Sequence, residues 1–318
     1  MNRRTVLAAL VAATAFTTAG PSRAEAPERF RVGFQKSASI FLVARQQELL
    51  EKRLAELGVD KVEWVEFQFG PPLLEALGSG AVDIGYVGDT PPIFAQAAGA
   101  NLVYVASAPA VFSGILVAAD SEIASVADLA GERVALAKGS SSHNFTVQAL
   151  KSAGLDFDAI QPDYLAPADA VAAFASDAVS AWTVWDPYLA LAEARHGARI
   201  LASSETDPAL QSNAFYLANR GFAEAHPDVL EAALQEIATA TRWSNANRDA
   251  LAEIASEATG VDLAAQKTAV DRHTIAIYPI GPEVLATQQR IADTFFDLGL
   301  IPKAIDVQAY VWAEKPNI

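Results

Sequence analysis

The densest group of polar residues in this sequence is the run Lys138-Gly139-Ser140-Ser141-Ser142-His143-Asn144, which opens an expected helix. A glycine lets the backbone approach a ligand closely, and serine hydroxyls add donors to the unpaired N–H groups at a helix start. With the positive end of the helix dipole, such donors can hold a tetrahedral anion. The alternative is that Ser140 or Ser141 is only the N-cap of the helix, and the motif alone leaves both interpretations open.

Three other segments place polar or aromatic residues where a strand would pass into a helix: Gly33–Ser37, Gly85–Pro92 and Trp182–Tyr188. Lys36 could supply positive charge to an anion, or it could simply be solvated. Trp182 and Trp185 could face a ligand or belong to the core. Asp186 precedes a proline and could cap the next helix instead of binding anything.

Several other chemistries lack their residues or motifs. The chain has no cysteine, which excludes disulfides, thiolate metal sites, a cysteine nucleophile and a lipoprotein anchor. The histidines other than His143 are scattered along the sequence without the spacing of metal ligands, so no metal site and no cofactor are expected. The two glycine-rich motifs that bind nucleotide phosphates, G-x-x-x-x-G-K-[ST] and G-x-G-x-x-G, are both absent from the sequence. An exported hydrolase is less favoured than an anion-binding protein. The sequence has no G-x-S-x-G, and the neighbours Ser142 and His143 are poorly placed as nucleophile and base.

Short apolar runs alternate with helical stretches along most of the chain, and this pattern predicts strands and the helices that position these residues. The predicted strands are Phe30–Phe34, Val62–Phe67, Asp83–Val87, Leu102–Ala106, Ile115–Ala118, Arg133–Ala137, Ala181–Trp185, Ala198–Leu201 and Phe215–Ala218. Such alternation is typical of an α/β fold with right-handed crossovers and a largely parallel sheet. Ligands of these sheets bind where strands end and helices begin, so the four polar segments should meet in one cleft.

Composition and charge narrow the class of protein further. The chain has 318 residues, of which 52% are hydrophobic and 19% charged, and it is therefore a folded protein of one large or two medium domains. Its formal net charge is −15, which argues against a nucleic-acid partner.

The N-terminus has the pattern of a secretory signal peptide over residues 1–26. Arg3 and Arg4 precede the apolar run Thr5–Ala15, and small-x-small cleavage sites end at Ala24 or Ala26. The apolar run is too short to span a membrane. Cleavage after Ala24 would remove three arginines and leave about −18, which predicts an exported, acidic protein without a lipid anchor.

Five segments resemble the aliphatic-sulfonate-binding proteins of bacterial ABC importers, which share a superfamily with binding proteins for nitrate, taurine and thiamine precursors. The segments are Phe34–Lys36, Gly70–Leu77, Gly88–Gly99, Lys138–Asn144 and Trp185–Tyr188. The resemblance extends from about residue 30 to Trp312. It is looser over Ala108–Gly114 and Ser203–Asn213, and the candidate contact set takes no residue from those two segments.

The resemblance implies a two-lobed periplasmic binding protein of the type II kind, with lobe one at 27–111 and 213–318 and lobe two at 112–212. It implies a monomer, without catalytic activity, that captures an alkanesulfonate in the periplasm and delivers it to an ABC permease and its ATPase for sulfur acquisition. Taurine, nitrate or a thiamine-precursor pyrimidine are the alternative ligands.

The resemblance also implies a set of ligand contacts on the four polar segments. The set is Gln35, Lys36, Gly88, Asp89, Thr90, Gly139, Ser140, Ser141, Ser142, His143, Asn144, Trp182, Trp185 and Asp186. Within it, we expect the sulfonate head to be held by neutral donors at 139–142, with Thr90 contributing from the opposite lobe.

Overall fold

The computed structural model describes residues 26–318, so the predicted signal peptide lies outside the described residues except for its last position. The described residues form ten strands: β1 (Arg29–Phe34), β2 (Lys61–Glu66), β3 (Ile84–Gly88), β4 (Leu102–Pro109), β5 (Ser113–Val117), β6 (Arg133–Leu136), β7 (Gln161–Tyr164), β8 (Ala181–Trp185), β9 (Arg199–Ser203) and β10 (Asn213–Asn219).

The same residues form twelve α-helices: α1 (Ser39–Gln46), α2 (Leu49–Ala55), α3 (Gly70–Gly78), α4 (Thr90–Ala97), α5 (Ser141–Ser152), α6 (Pro167–Ala175), α7 (Tyr188–His196), α8 (Arg220–Ala225), α9 (Pro227–Ala246), α10 (Arg248–Thr259), α11 (Leu263–Arg272) and α12 (Pro282–Asp297). Pro91 and Pro92 occupy the first turn of α4, where a missing N–H costs no intrahelical bond. None of the helices between residues 26 and 318 has the length and apolar composition needed to cross a membrane.

The strands form two five-stranded sheets, one in each lobe. The first has the order β2-β1-β3-β10-β4 and the second the order β7-β6-β8-β5-β9. In the first, β1 pairs parallel with β2 and β3, whereas β10 runs antiparallel to β3 and β4. In the second, β6 is parallel to β7 and β8, and β5 is antiparallel to β8 and β9. The predicted two-lobed α/β fold class is confirmed. Both sheets are mixed, and in each of them three neighbouring strands run parallel: β2, β1 and β3 in the first, and β7, β6 and β8 in the second.

Strand β7 was not among the predicted strands, for a visible physical reason. Its residues Gln161–Tyr164 lie at the sheet edge with exposed and half-exposed side chains and include a proline. A strand that buries little side-chain surface shows no apolar run in the sequence, and proline is tolerated at a sheet edge because one side of the strand has no partner strand.

Both faces of both sheets are covered by apolar side chains. In β5, Ile115 and Val117 pack in a cluster with Phe145 of α5, whereas Leu116 between them packs with Trp182 in a cluster on the other face. The period of two along a strand sends neighbouring side chains to opposite faces. This accounts for strands that are apolar throughout rather than alternating.

The chain crosses between the sheets twice, from Pro109 to Ser113 and from Ser203 to Asn213. The lobe limits at 111/112 and 212/213 stay a prediction. Helix α11, in the C-terminal part of the chain, packs on α7, which follows a strand of the second sheet, through an apolar cluster that includes Ala190 and Ala269. The C-terminal part therefore contacts both lobes.

Candidate functional site

A cavity of about 530 Å³ lies between the lobes and is lined from both. Asp89 reaches it from the end of β3, and the start of α5 reaches it from the second sheet. Both crossing segments contribute to its wall, as do Asp271 and Arg272 at the end of α11. Strand ends and helix starts thus meet at this cavity, as the topology predicts.

Two small cavities lie close by. One, of about 30 Å³, shares Ser113 and Ser141 with the large cavity. The other, of about 20 Å³, lies among the segment after β1, the start of α7 and the inner side of α11.

The structure distributes the sequence-predicted contacts over these cavities unequally. Those that line the large cavity are Asp89, Ser141 and Asn144, and those that line the 30 Å³ cavity are Gln35, Gly88, Ser140, Ser141 and Trp185. Lys36 and Asp186 line the 20 Å³ cavity. The remaining predicted contacts line none of the three: Thr90, Gly139, Ser142, His143 and Trp182.

At the start of α5, most of the expected anion donors are used inside the protein. Ser140 Oγ donates to the carbonyl of Ala137 at 2.7 Å and accepts from the N–H of Ser142 at 3.2 Å. Ser142 Oγ accepts from the N–H of Ala137 at 3.1 Å. The N–H of Gly139 donates to Nδ1 of His143 at 3.3 Å. The N-cap interpretation therefore applies to Ser140, and Ser141 is the serine whose side chain reaches the large cavity.

The lobes touch each other directly beside this helix start. Asn144 Nδ2 donates to Asp89 Oδ2 at 2.7 Å, and the pair joins α5 to the end of β3. Gly88 lies so close to Ser141 that a Cβ there would collide with the serine Oγ. Thr90 is fully buried and donates to Asp89 Oδ1 at 2.8 Å, and its expected contact with the sulfonate head stays a prediction.

Burial raises the pKa of Asp89 above its ordinary value, and hydrogen bonds from Thr90, Asn144 and Ser141 partly offset this effect. A further donor, Gln288 Nε2 of α12, holds the backbone carbonyl of Asp89 at 2.6 Å. Asp89 is therefore the centre of a buried hydrogen-bond network that sets the position of the β3–α4 junction against α5.

His143 belongs to an aromatic cluster and lines none of the three cavities, so its contact with a ligand stays a prediction. Its ring lies 5.2 Å from Phe295, 5.0 Å from Phe157 and 6.2 Å from Phe94, measured between ring centroids. Burial, with a smaller contribution from Lys138, lowers the pKa of His143 to about 4. The neutral imidazole thus packs as an apolar side chain at the contact between α5 and helices α4 and α12.

Lys36 and Asp186 are occupied outside the large cavity. Lys36 Nζ donates to the carbonyl of Thr259 at 2.9 Å, at the end of α10. Asp186 Oδ1 accepts from the N–H of Ala190 at 3.0 Å, which supports the interpretation that it caps α7. Its Oδ2 has no hydrogen-bond partner, and burial raises the pKa of Asp186 to about 7 despite the nearby guanidinium of Arg272.

The two tryptophans of β8 belong to the same apolar cluster but differ in their neighbours. Trp182 packs on Phe174 of α6, with ring centroids 6.0 Å apart, and is 2% exposed. Trp185 lies at the strand end, where it also lines the 30 Å³ cavity. Trp182 lines none of the three cavities, and ligand contact by either tryptophan stays a prediction.

The principal cavity residue that sequence reasoning missed is Arg272. It is the last residue of α11, and its guanidinium lies 4.7 Å from the ring centroid of Phe112. A basic residue in the last turn of a helix is favoured by the helix dipole alone, so its position in the sequence carries no sign of a binding role. Phe112, Ser204 and Glu205 were missed as well, because the resemblance is loosest in the two crossing segments.

Comparison with known proteins places this arrangement in a family. Residues 61–250 match the family model described as NMT1/THI5 like. A curated aliphatic sulfonates-binding protein of Escherichia coli (strain K12) is 42% identical over 96% of this chain and 94% of its own. The crystal structure of the periplasmic aliphatic sulphonate binding protein SsuA from Escherichia coli superposes with a TM-score of 0.81 at 42% identity, covering 90% of this chain and 98% of that one.

A second solved structure, the alkanesulfonate-binding protein SsuA from Xanthomonas axonopodis pv. citri bound to MOPS, superposes with a TM-score of 0.83 at 36% identity, again covering 90% of this chain and 98% of that one. Two lobes with a cavity lined from both are the arrangement of the periplasmic-binding-protein fold, which this chain shares with these structures. The chain belongs to the NMT1/THI5-like family, and the resemblance to aliphatic-sulfonate-binding proteins expected from its motifs is confirmed.

Proposed function

We propose that this chain is the substrate-binding component of an ABC importer and that it captures aliphatic sulfonates in the periplasm. The observation that carries the proposal is the interlobe cavity of about 530 Å³, with Ser141 and Arg272 in its wall. The names of its relatives support the ligand class. The proposal includes export by residues 1–26, lobe limits at 111/112 and 212/213, and delivery by a monomer to a permease and its ATPase.

The cavity suits an anion that carries an organic tail. A sulfonate stays a monoanion across physiological pH and only accepts hydrogen bonds, so hydroxyl, amide and guanidinium donors match it. The wall also includes Val111, Phe112, Phe145 and Leu210, which an alkyl chain can contact. Nitrate needs only about the room of one or two water molecules, whose share of liquid volume is about 30 Å³ each. A cavity of 530 Å³ would leave most of its apolar wall unused by nitrate.

Taurine is the second candidate ligand, and the carboxylates in the cavity wall favour it. Glu205 and Asp271 line the cavity and could pair with an ammonium group at the far end of an aminoalkanesulfonate. Asp186 lines the separate 20 Å³ cavity and is therefore less suited to this role.

Binding without turnover is part of the proposal. Ser142 Oγ accepts from Ala137, and Nδ1 of His143 accepts from Gly139, so this neighbouring pair forms no nucleophile and base. The relatives are named as binding proteins. Product release from sulfonate or phosphate esters would contradict this part of the proposal.

The proposal is tested by a thermal-shift screen of the mature protein against 1-propanesulfonate, 1-pentanesulfonate, taurine, sulfate, nitrate and a thiamine-precursor pyrimidine. A ligand at one hundred times its Kd stabilises the native state by about 2.7 kcal/mol and raises the Tm. We expect the alkanesulfonates to raise the Tm most. A shift with nitrate or the pyrimidine and none with any sulfonate would contradict the proposal.

A further inference from the structure

The end of α11 is tied to α7 by an ion pair at the edge of the interlobe cavity. Arg272 Nη1 and Nη2 donate to the two carboxylate oxygens of Glu193 at 2.7 and 3.1 Å. Arg272 Nη1 also lies 3.9 Å from Asp186 Oδ1. Both partners of the main pair are about three-quarters buried, with side-chain exposures of 23% and 27%. Partial burial makes such a pair more strongly coupled than the exposed pairs elsewhere on the surface.

Arg272 brings a positive charge to a cavity wall whose other charged residues are acids. Asp89, Glu205 and Asp271 line the cavity as acids, and Arg272 is the only lysine or arginine among its lining residues within the described chain. The three acids repel an anion in this cavity, so Arg272 is the charged residue of the wall that favours its binding. The guanidinium has five N–H donors, and the pair with Glu193 occupies only part of them.

The pair joins parts of the chain that belong to different lobes. Glu193 lies on α7, which follows β8 of the second sheet, whereas α11 follows β10 of the first sheet in the chain and packs on α10. Phe112 lies in the first crossing segment between the two sheets. A movement that opens the cleft between α7 and α11 must break the bonds to Glu193 and withdraw Arg272 from Phe112.

We propose that Arg272 determines the preference of the cavity for anions and that Glu193 is a positioning residue that holds Arg272 there across the two lobes. This inference rests on the proposed function, because it concerns the same cavity. It makes anion capture and lobe closure one event: the closed arrangement orients the guanidinium, and the bound anion keeps the lobes together. Glu193 lines none of the three cavities, so its effect on binding has to act through Arg272.

The test is stopped-flow and calorimetric binding of 1-propanesulfonate to the wild type and to Glu193→Gln. The variant keeps Arg272 and removes a negative charge near the cavity, so association should be unchanged or slightly faster. Loss of the interlobe pair should speed dissociation by about tenfold and weaken the overall affinity by about fivefold or more. Arg272→Gln should weaken affinity by about one hundredfold, and Arg272→Lys should fall between, because lysine keeps the charge without the bidentate geometry.

The matched control is Asp163→Asn. Asp163 accepts two bonds from Arg133, at 2.9 and 3.2 Å, but both residues lie on adjacent strands of the second sheet. This pair therefore cannot join the lobes, and its loss should leave dissociation of 1-propanesulfonate unchanged. A Glu193→Gln dissociation rate equal to that of the control would overturn the positioning role, and wild-type affinity in Arg272→Gln would overturn the role of Arg272.

The outcome is separable from the proposed function. If the wild type binds nitrate or sulfate but no sulfonate, the proposed ligand class is wrong, and the same four variants titrated with that anion still decide the roles of Arg272 and Glu193. If the wild type binds only the neutral pyrimidine, both the ligand class and the anion-selecting role are wrong. Unliganded unfolding curves for each variant show whether a change in binding comes from loss of the fold.

Discussion

At the scale of single residues, Ser140, Ser141 and Ser142 differ in role although they are identical in type. Ser140 and Ser142 are 1% exposed and bond to the loop that precedes α5, whereas Ser141 reaches the large cavity. Sequence reasoning could find the segment because glycine and hydroxyl residues before a helix have a recognisable chemistry. It could not tell which hydroxyl faces the ligand, because that depends on how the loop folds back on Ala137.

Ser141→Ala should weaken the binding of alkanesulfonates by about tenfold. The reason is the loss of one charge-assisted hydrogen bond, of about 1.5 kcal/mol, to the sulfonate. This variant should lower the free energy of unfolding by less than Ser142→Ala does, because Asp89 loses the bond from Ser141 but keeps those from Thr90 and Asn144. Ser142→Ala is the matched control, because it leaves the N–H of Ala137 without its acceptor and should lower the free energy of unfolding by about 1–2 kcal/mol. Calorimetric titration and urea unfolding of both variants check this. The reverse pattern would mean that Ser142 holds the ligand.

Arg272 shows the limit of sequence reasoning at this scale. Its contact with the cavity depends on α11 folding back across α7. Helix α11 follows another helix and not a strand, so the rule for ligands of such sheets does not single out Arg272. No pattern in the sequence around residue 272 predicts that packing.

At the scale of secondary structure, the start of α7 illustrates how burial changes a capping residue. Asp186 caps the helix through Ala190 and is 3% exposed, and burial raises its pKa from 3.8 to about 7. The folded protein thus binds the proton more tightly than the unfolded chain, so unfolding releases a proton between about pH 4 and pH 7. The contribution of Asp186 to stability is therefore present at low pH and is lost as the pH rises through 7.

Asp186→Asn removes this titration and keeps an oxygen that can accept from Ala190. The free energy of unfolding of the variant, minus that of the wild type, should increase by on the order of 2 kcal/mol between pH 5 and pH 8. Urea unfolding at four pH values measures this difference. A difference that does not change with pH would contradict a raised pKa of Asp186 in the folded protein. A changed preference between taurine and ethanesulfonate would support a ligand contact by Asp186.

Most strands were predictable because they are buried on both faces and so read as apolar runs, as β5 and β8 do. The antiparallel insertion of β10 and β5 into otherwise parallel groups was not predictable from those runs, because the direction of a strand leaves no mark in its composition. The edge strand β7 was missed for the opposite reason, since it has no apolar run at all.

At the scale of the whole molecule, the lobes meet through the close approach of Gly88 to Ser141. A side chain at Gly88 would collide with Ser141 Oγ, so the closed arrangement depends on glycine at this position. The chain enters and leaves the second sheet through two short crossings, which allow the lobes to move relative to each other. The assignment of chain segments to the two lobes was predicted from the family resemblance, because the amino-acid composition shows no boundary between the lobes.

Gly88→Ala should weaken the binding of alkanesulfonates by tenfold or more, because the added methyl group keeps the lobes apart. Gly281→Ala is the matched control: its Cβ would meet no atom within 4 Å, and its φ of −102° suits alanine. Affinity in the control should equal that of the wild type. Small-angle X-ray scattering should show a wild type that contracts with ligand and a Gly88→Ala variant that contracts less. Equal affinity and equal contraction in all three proteins would mean that this contact does not limit closure.

The capture of an aliphatic sulfonate in the interlobe cavity is tested most directly by calorimetric titration of 1-pentanesulfonate into the mature wild-type protein, followed by the same titration with saturating nitrate present. We predict saturable binding of one sulfonate per chain, with a Kd in the micromolar range or tighter, equivalent to about −8 kcal/mol or more, and little change when nitrate is added. No saturable heat with the sulfonate, or its complete displacement by nitrate, would contradict the assignment of this cavity to aliphatic sulfonates.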